Sequence, residues 1–599
     1  VQYQNGNRHA LVVSNLNVTL KASPSEVLVW ATDLRNQSPA QNVPVKLYDE
    51  KGVNIASGVT DQRGLWRAPV QDSGYQVKAF DAGAVYAILG QPGDDQFGVA
   101  GSSWAMGISP WDFGLSYDTS GTRPEVYLYT ERPVYRPGDT IHYRGILKNW
   151  YDGRYTQSDL RDVTVTWFGP NGKISQPQPV TISAFGTFNG EFTLAANAEP
   201  GGYSLAASSG GNDLYKGNLY FQVADYRKPE INLSVAISPS PAKSGQQLLA
   251  TIKAEYFFGA AAADLPFTWR LYTSPSNFPI PEYNTGVQTS RWLSNGGAGQ
   301  FGNIYQNGEG RTGADGSFSL PLNDLRVDDT AEMTLEITAT ESGGFPISAR
   351  ASTILHPESF YIGVRPSAWV GQAGSELGFD LLSVDWDRHP VSQPLVAAFE
   401  KVRWERTDGQ YGDYSFTPIY TPVDSQSVKS GADGKARVNF TPADAGTYVL
   451  DVTSGSAHTQ TLIWVSGGEN AEWPNLPFQQ IQLTANQEKY KPGETAEVFI
   501  PNPFNAPALA LLTTERSTFK SVDIVTVPAE GYKFSLPLTD DSAPNLYVSA
   551  TLLGPQGVDF RQGYLNLPVD PSAFTLNVEL KATPEKAKPG DTINLDLLV

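Results

Sequence analysis

The chain has 599 residues, 43 Lys+Arg against 62 Asp+Glu for a net charge of −19, 40% hydrophobic and 11% aromatic residues, and no cysteine. That length exceeds what one hydrophobic core can fill and asks for about four to six domains, while the composition excludes a disordered chain. The acidic surface repels phosphate backbones, so nucleic acid is not an expected partner, and the missing thiols exclude disulfides, cysteine nucleophiles and Cys-ligated metals.

No apolar run approaches the roughly 18 residues that a membrane-spanning helix needs. Val1 is not followed by a basic n-region and an apolar h-region, so a piece of a longer, processed or engineered polypeptide is expected.

In chain order, strand-period alternation dominates from the β-rich apolar run Val27–Trp30 onward. A turn followed by a polar-apolar strand recurs five times: RPGDTIHYRGIL at 136–147, KSGQQLLATIKA at 243–254, QAGSELGFDLLS at 372–383, KPGETAEVFI at 491–500 and KPGDTINLDLLV at 588–599. The turn glycines Gly138, Gly245, Gly374, Gly493 and Gly590 are roughly 100–130 residues apart, the length of one sandwich. Pro then Gly suits a type II turn, whose second central residue needs φ > 0. The repeat reads as the first hairpin of each domain.

A second repeat falls late in each unit, at 60–70, 184–194, 313–322 and 431–442, where an Asp/Asn–Gly type turn precedes an inward-facing strand. No Asp-x-Asp-x-Asp-Gly array supports a calcium loop there. Between these landmarks, Met333, Leu335, Ile337 and Ala339 share one strand face, and Ala436, Val438 and Phe440 share another. Few stretches carry helical spacing with caps. The predicted class is all-β: tandem antiparallel β-sandwiches at 1–122, 123–228, 229–358, 359–474 and 475–572, with a further, truncated one opening at 573–599.

A search for chemistry finds no constellation. His9, His142, His356, His389 and His458 are scattered without metal-ligand spacing and read as surface or turn residues. The close carboxylates Asp94–Asp95, Asp385 with Asp387, and Asp540–Asp541 lie in Gly- or Pro-containing loops, where Asp is an ordinary turn former. A glycosidase pair would be assembled by the fold rather than the sequence. Trp104, Trp111 and Phe113 form the least strand-like aromatic group. They read as the packed linker between the first two units, with a binding patch as the weaker option. Catalytic, cofactor-binding and metal residues are all expected to be none.

Several segments, in order, resemble the bacterial α2-macroglobulins: EVLVWATDL at 26–34, YLYTERPVYRPGDTIHYRGIL at 127–147, FQVADYRKPEINLSV at 221–235, FYIGVRPSAWVGQAG at 360–374 with VDWDRHPV at 384–391, and NQEKYKPGETAEVFIPNPFNAPALALLTTER at 486–516. The resemblance implies tandem macroglobulin-like sandwiches that serve as the arm of a broad-spectrum protease trap, in which an attacking protease cuts an exposed bait segment and the molecule rearranges around it. It also implies that bait region and Cys-x-Glu-Gln thioester lie beyond Val599, that proteases are the partners through that downstream bait, and that the protein is exported to the periplasm or cell envelope. Envelope partners and a lipid anchor on the full-length chain fit that setting. The fragment itself is expected to be a monomer, a scaffold and not an enzyme, and each junction between sandwiches is a candidate hinge. A modular cell-surface adhesin or carbohydrate-binding array is the alternative, and the accessory region of a secreted hydrolase a third reading.

Overall fold

The computed structural model describes residues 12–599 except 71–83, 105–107, 116–120, 225–229, 287–301, 341–343, 345, 409–413, 468–478, 505, 556–558 and 589–590. His9 and Gly590 therefore lie outside the described residues. Among those described there are strands, turns and short 3-10 turns, and no α-helix. Among the described residues no helix is long and apolar enough to cross a membrane. The residues divide into two compact units, Val1–Asp225 together with Asn475–Val599, and Tyr226–Pro474.

The third sandwich shows the plan. A three-stranded antiparallel sheet of Ile231–Ser238, Leu248–Tyr256 and Ser317–Leu322 is one layer. The other runs Ala242–Lys243, Pro346–His356, Ala331–Thr340, Pro266–Pro275, Asn303–Arg311. Ala250 and Ile252 from the first layer and Leu271, Met333, Leu335, Ile337 and Leu355 from the second form one buried core. Each of the Leu, Ile and Met side chains contributes roughly 1.5–3 kcal/mol of burial. The fourth sandwich repeats this with Phe360–Pro366, Leu377–Asp385 and Lys435–Phe440 in the small sheet. The other unit holds three more sandwiches. One of them, the fifth, sets Thr495–Ile500 and Tyr532–Pro537 against Thr518–Val527, Ala508–Arg516, Asn545–Leu553 and Phe560–Pro568.

The Pro-Gly turns form as turns but not as hairpins. Gly138 has φ 85°, and Asp139 N–H donates to the Arg136 carbonyl at 3.1 Å, closing the turn. The residues before it, Val134–Tyr135, pair in parallel with Asn212–Val223, while the strand after it, Thr140–Tyr151, pairs with Arg123–Thr130 and Thr187–Thr193. Ala242–Lys243 and Val370–Gln372 make the same short parallel bridge to the last strand of their own sandwiches. The turn is thus the corner at which the chain leaves one sheet for the other, and the parallel bridge covers a sheet edge that would otherwise be open. Spacing alone is the same for a hairpin and a corner, which is why the sequence suggested the former.

The second repeat is also a corner, and its glycine is required twice over. Gly316 has φ 75°, and a Cβ there would sit 2.4 Å from the Ala254 carbonyl oxygen. Gly434 has φ 72° with the Ser383 carbonyl oxygen at the same 2.4 Å.

The last strands differ from the rest in burial. Glu579–Thr583 pairs with Asn594–Leu598, placing Leu580 opposite Leu597 and Ala582 opposite Leu595. Leu595 and Leu597 sit at the spacing from the turn glycine that buries Ala250 and Ile252 in the third sandwich, yet they are 61% and 63% exposed.

Candidate functional site

The strand Glu26–Asp33 is buried on both faces. Val27, Val29 and Ala31 enter the core of the first sandwich, whereas Leu28 and Trp30, with Leu65, pack outward against Leu511, Phe519 and Leu553 of the fifth. Two sheets from opposite ends of the sequence therefore share a dry face, the strongest association available to them in water.

Polar groups frame that face. Lys21 on the strand Leu16–Ala22 is nearly buried; its Nζ donates to Thr513 Oγ1 at 3.0 Å and Ser549 Oγ at 2.8 Å, and it pairs with Glu515. The Tyr564 ring lies 5.0 Å from the ammonium. Burial alone would lower the Lys21 pKa, but the Glu515 carboxylate and Tyr564 outweigh it, so the net direction is upward and the ammonium stays charged. Burial pushes the Tyr564 phenol up. At the edge, Glu26 and Arg67 pair at 2.6 Å and clamp the backbone of Phe519, whose N–H donates to Glu26 at 2.8 Å while its carbonyl accepts from Arg67 at 2.6 Å.

The second sandwich grips the fifth through its Tyr151–Arg154 turn. Asp152 pairs with Arg516 at 3.0 Å and Lys520 at 3.1 Å. Arg516, 7% exposed, also donates to the carbonyls of Asp541, Ser542, Ala543 and Asn545 at 2.6–3.1 Å. Burial would raise the Asp152 pKa, yet the Arg516 guanidinium and Lys520 hold it below the ordinary carboxylate range. Arg154 adds an ion pair to Asp541 at 2.8 Å.

The sequence-selected residues fall as follows. His142 is exposed on its strand, 3.4 Å from Glu191, and His389 is exposed in its turn. His458 is half-buried on Ala457–Ser466, where Asp451 at 2.7 Å raises its pKa. His356 corrects the surface reading: it is buried between the third and fourth sandwiches, stacked on Trp386 at 4.4 Å and bonded through Nδ1 to the Tyr361 hydroxyl at 2.5 Å. Tyr361 in turn stacks on Phe278 at 4.0 Å and bonds to Thr330 at 2.6 Å. Burial moves His356 down to about 4 and Tyr361 up to about 12. This junction, one of those proposed as hinges, is filled by packed rings.

Asp94 and Asp95 lie in a turn, and Asp541 is engaged by Arg154. Asp385, Asp387 and His389 are the metal-like set among the described residues, with ligand atoms within 4.8 Å of one another. Asp385 Oδ1 already accepts the N–H groups of Asp387 and His389 at 2.9 and 2.8 Å, so the set is an ordinary Asx turn. The aromatic linker is only partly packed: Phe113 meets Tyr564 edge-on at 5.3 Å, while Trp104 and Trp111 stay more than half exposed. Sequence reasoning missed Lys21, Asp152, Glu515 and Arg516, whose partners are hundreds of residues away and left no local signal.

The fold is a tandem array of β-sandwiches in which one member docks on two others. Five family models match it in series: the "Bacterial alpha-2-macroglobulin MG3 domain" over 13–120, the "MG2 domain" over 125–223, the "Bacterial Alpha-2-macroglobulin MG5 domain" over 230–357, the "Bacterial macroglobulin domain 6" over 363–467, and the "Alpha-2-macroglobulin bait region domain" over 481–598. An alpha-2-macroglobulin homolog of Nostoc sp. is 22% identical, covering 96% of this chain and 31% of its own length. The alpha-2-macroglobulin of Ralstonia nicotianae is 22% identical, covering 98% and 34%. The native conformation of E. coli alpha-2-macroglobulin aligns with TM-score 0.49 and 18% identity, over 98% of this chain and 37% of that one. The chain belongs to the bacterial alpha-2-macroglobulin family and spans about a third of the length of the curated relatives it matches.

The bait-region match corrects one expectation. It lies inside the chain, at 481–598, rather than beyond Val599. The region read as a fifth sandwich followed by the opening of a further one, because its turns and strands keep the spacing of the other four.

Proposed function

We propose that this chain is the scaffold of a bacterial protease inhibitor, not an enzyme, and that its fifth sandwich presents bait for attacking proteases. The observation that carries this is the bait-region match at 481–598, whose sandwich is docked on the first through Leu28, Trp30 and Lys21 and on the second through Asp152. A sandwich fixed in this way resists unfolding while a segment beside it is cut. The chain has no cysteine, so it cannot itself form a thioester, and trapping by covalent capture would need residues of the parent protein. An exported protein of the periplasm or cell envelope suits this role, with proteases as partners.

The test is to treat the full-length protein with proteases of different specificity and to map the first cuts by mass spectrometry. Cuts clustered in one short stretch within or directly after 481–598, with the sandwiches intact, are expected. First cuts scattered over all the sandwiches would overturn the reading.

A further inference from the structure

Among the described residues, five of the six exposed tyrosines belong to the second sandwich: Tyr127, Tyr129, Tyr155, Tyr215 and Tyr220, against Tyr420 elsewhere. Tyr127 and Tyr129 lie on the strand Arg123–Thr130, whose alternate residues Val126 and Leu128 are buried. Across the ladder Tyr129 faces Arg144, and Arg123 faces Trp150. Tyr155 lies opposite Trp150 on the next strand, and Tyr215 lies opposite Glu125. One outward face of this sheet is therefore a continuous run of rings and cations.

The rings are held in place from beneath. Glu125 points to that face yet is 3% exposed, accepting from Arg123 at 2.8 Å, Lys216 at 2.9 Å and the Tyr155 hydroxyl at 3.2 Å. The Arg123 guanidinium stacks on Tyr215 at 3.9 Å, and Trp150 and Tyr155 pack at 4.8 Å. Tyr127 and Tyr129 lie 5.9 Å apart, and Tyr127 is 67% exposed. Ordering these rings before a ligand arrives removes the side-chain ordering part of the cost of binding.

We propose that this face binds an acidic polysaccharide. A sugar ring offers an apolar C–H face that stacks on Tyr and Trp, and its carboxylates suit the cations around the rings. Arg123, Arg144, Lys148 and Lys216 lie on this face among the carboxylates of Glu125, Glu191 and Glu131, the last accepting the His142 N–H two residues from Arg144. Arg144, beside Tyr129, is exposed and has no ion-pair partner among the described residues. A docking surface for another protein domain looks different in this molecule: the first and fifth sandwiches meet through Leu28, Trp30, Leu511, Phe519 and Leu553, large apolar side chains that exclude water. The tyrosine face keeps its rings in contact with water, with half-buried Ile146 opposite Tyr127.

The test is binding of the 599-residue chain to immobilised alginate, a polyuronate, beside neutral dextran. Retention on alginate alone, weakened by salt, is expected. The Tyr127→Ala/Tyr129→Ala double variant should bind about tenfold more weakly, with an unchanged melting temperature because both rings are exposed, and Arg144→Gln should bind more weakly than wild type. No retention on alginate, equal retention on dextran, or a double variant that binds as wild type would each overturn the proposal.

Discussion

Lys21 shows what a single buried charge does here. Its ammonium has exchanged water for Thr513, Ser549 and Glu515. Removing one partner of such a pair leaves the other charge buried alone, which costs about 3–5 kcal/mol, whereas replacing both with apolar groups is close to neutral. Lys21→Met should thus lower the stability of the unit that holds it by that amount, and Lys21→Met with Glu515→Leu should restore most of it. Urea unfolding of the three chains checks this; equal losses in the single and double variants would show that the pair is not coupled. His356 gives a pH signature. Its folded pKa of about 4 lies below the ordinary 6.5 because it is buried against Trp386 and Tyr361. The unfolded state binds the proton more readily, so the stabilisation is complete above pH 6.5 and is lost as pH falls towards 4, by about 3 kcal/mol. His356→Gln should flatten that part of the stability profile; an unchanged slope would place the titration elsewhere. Neither residue was legible in the sequence. His356 ends the strand Pro346–His356 beside buried Leu355, where the alternation breaks, and one broken step does not distinguish a buried ring from a turn.

At the scale of elements, the glycine corners separate two effects. Gly245 has φ 80° with nothing within 4 Å of an added Cβ, so Gly245→Ala should cost only the left-handed backbone strain of about 1–2 kcal/mol. Gly316→Ala adds a collision with the Ala254 carbonyl at 2.4 Å and should cost clearly more, about 3 kcal/mol or above. Denaturant midpoints of the two variants decide it, and equal costs would remove the carbonyl from the explanation. These turns were readable because Pro, Gly and Asp restrict φ locally. Which sheet each following strand enters was not, since that depends on the parallel bridge to a strand about 100 residues later. The alternation of 331–341 was readable for the same local reason, and Met333, Leu335, Ile337 and Ala339 are all buried.

For the whole molecule, the fifth sandwich is held by two neighbours in its own unit, and the docking face is mostly apolar. Trp30→Ala, which opens a cavity at that face, should cost about 3–5 kcal/mol and should destabilise the first and fifth sandwiches together. Hydrogen exchange that speeds up in Glu26–Asp33 but not in Ala508–Arg516 would contradict their coupling. The VLVWA run read only as a β-rich apolar run; its burial on both faces, and its partner 480 or more residues along the chain, could not be read from any local pattern. The most direct measurement is of protease activity after incubation with the full-length protein, on a protein substrate and on a short peptide side by side. A scaffold that presents bait for trapping predicts that hydrolysis of the protein substrate falls while that of the peptide persists. A protease that digests both substrates as fast as it does without this protein would contradict it.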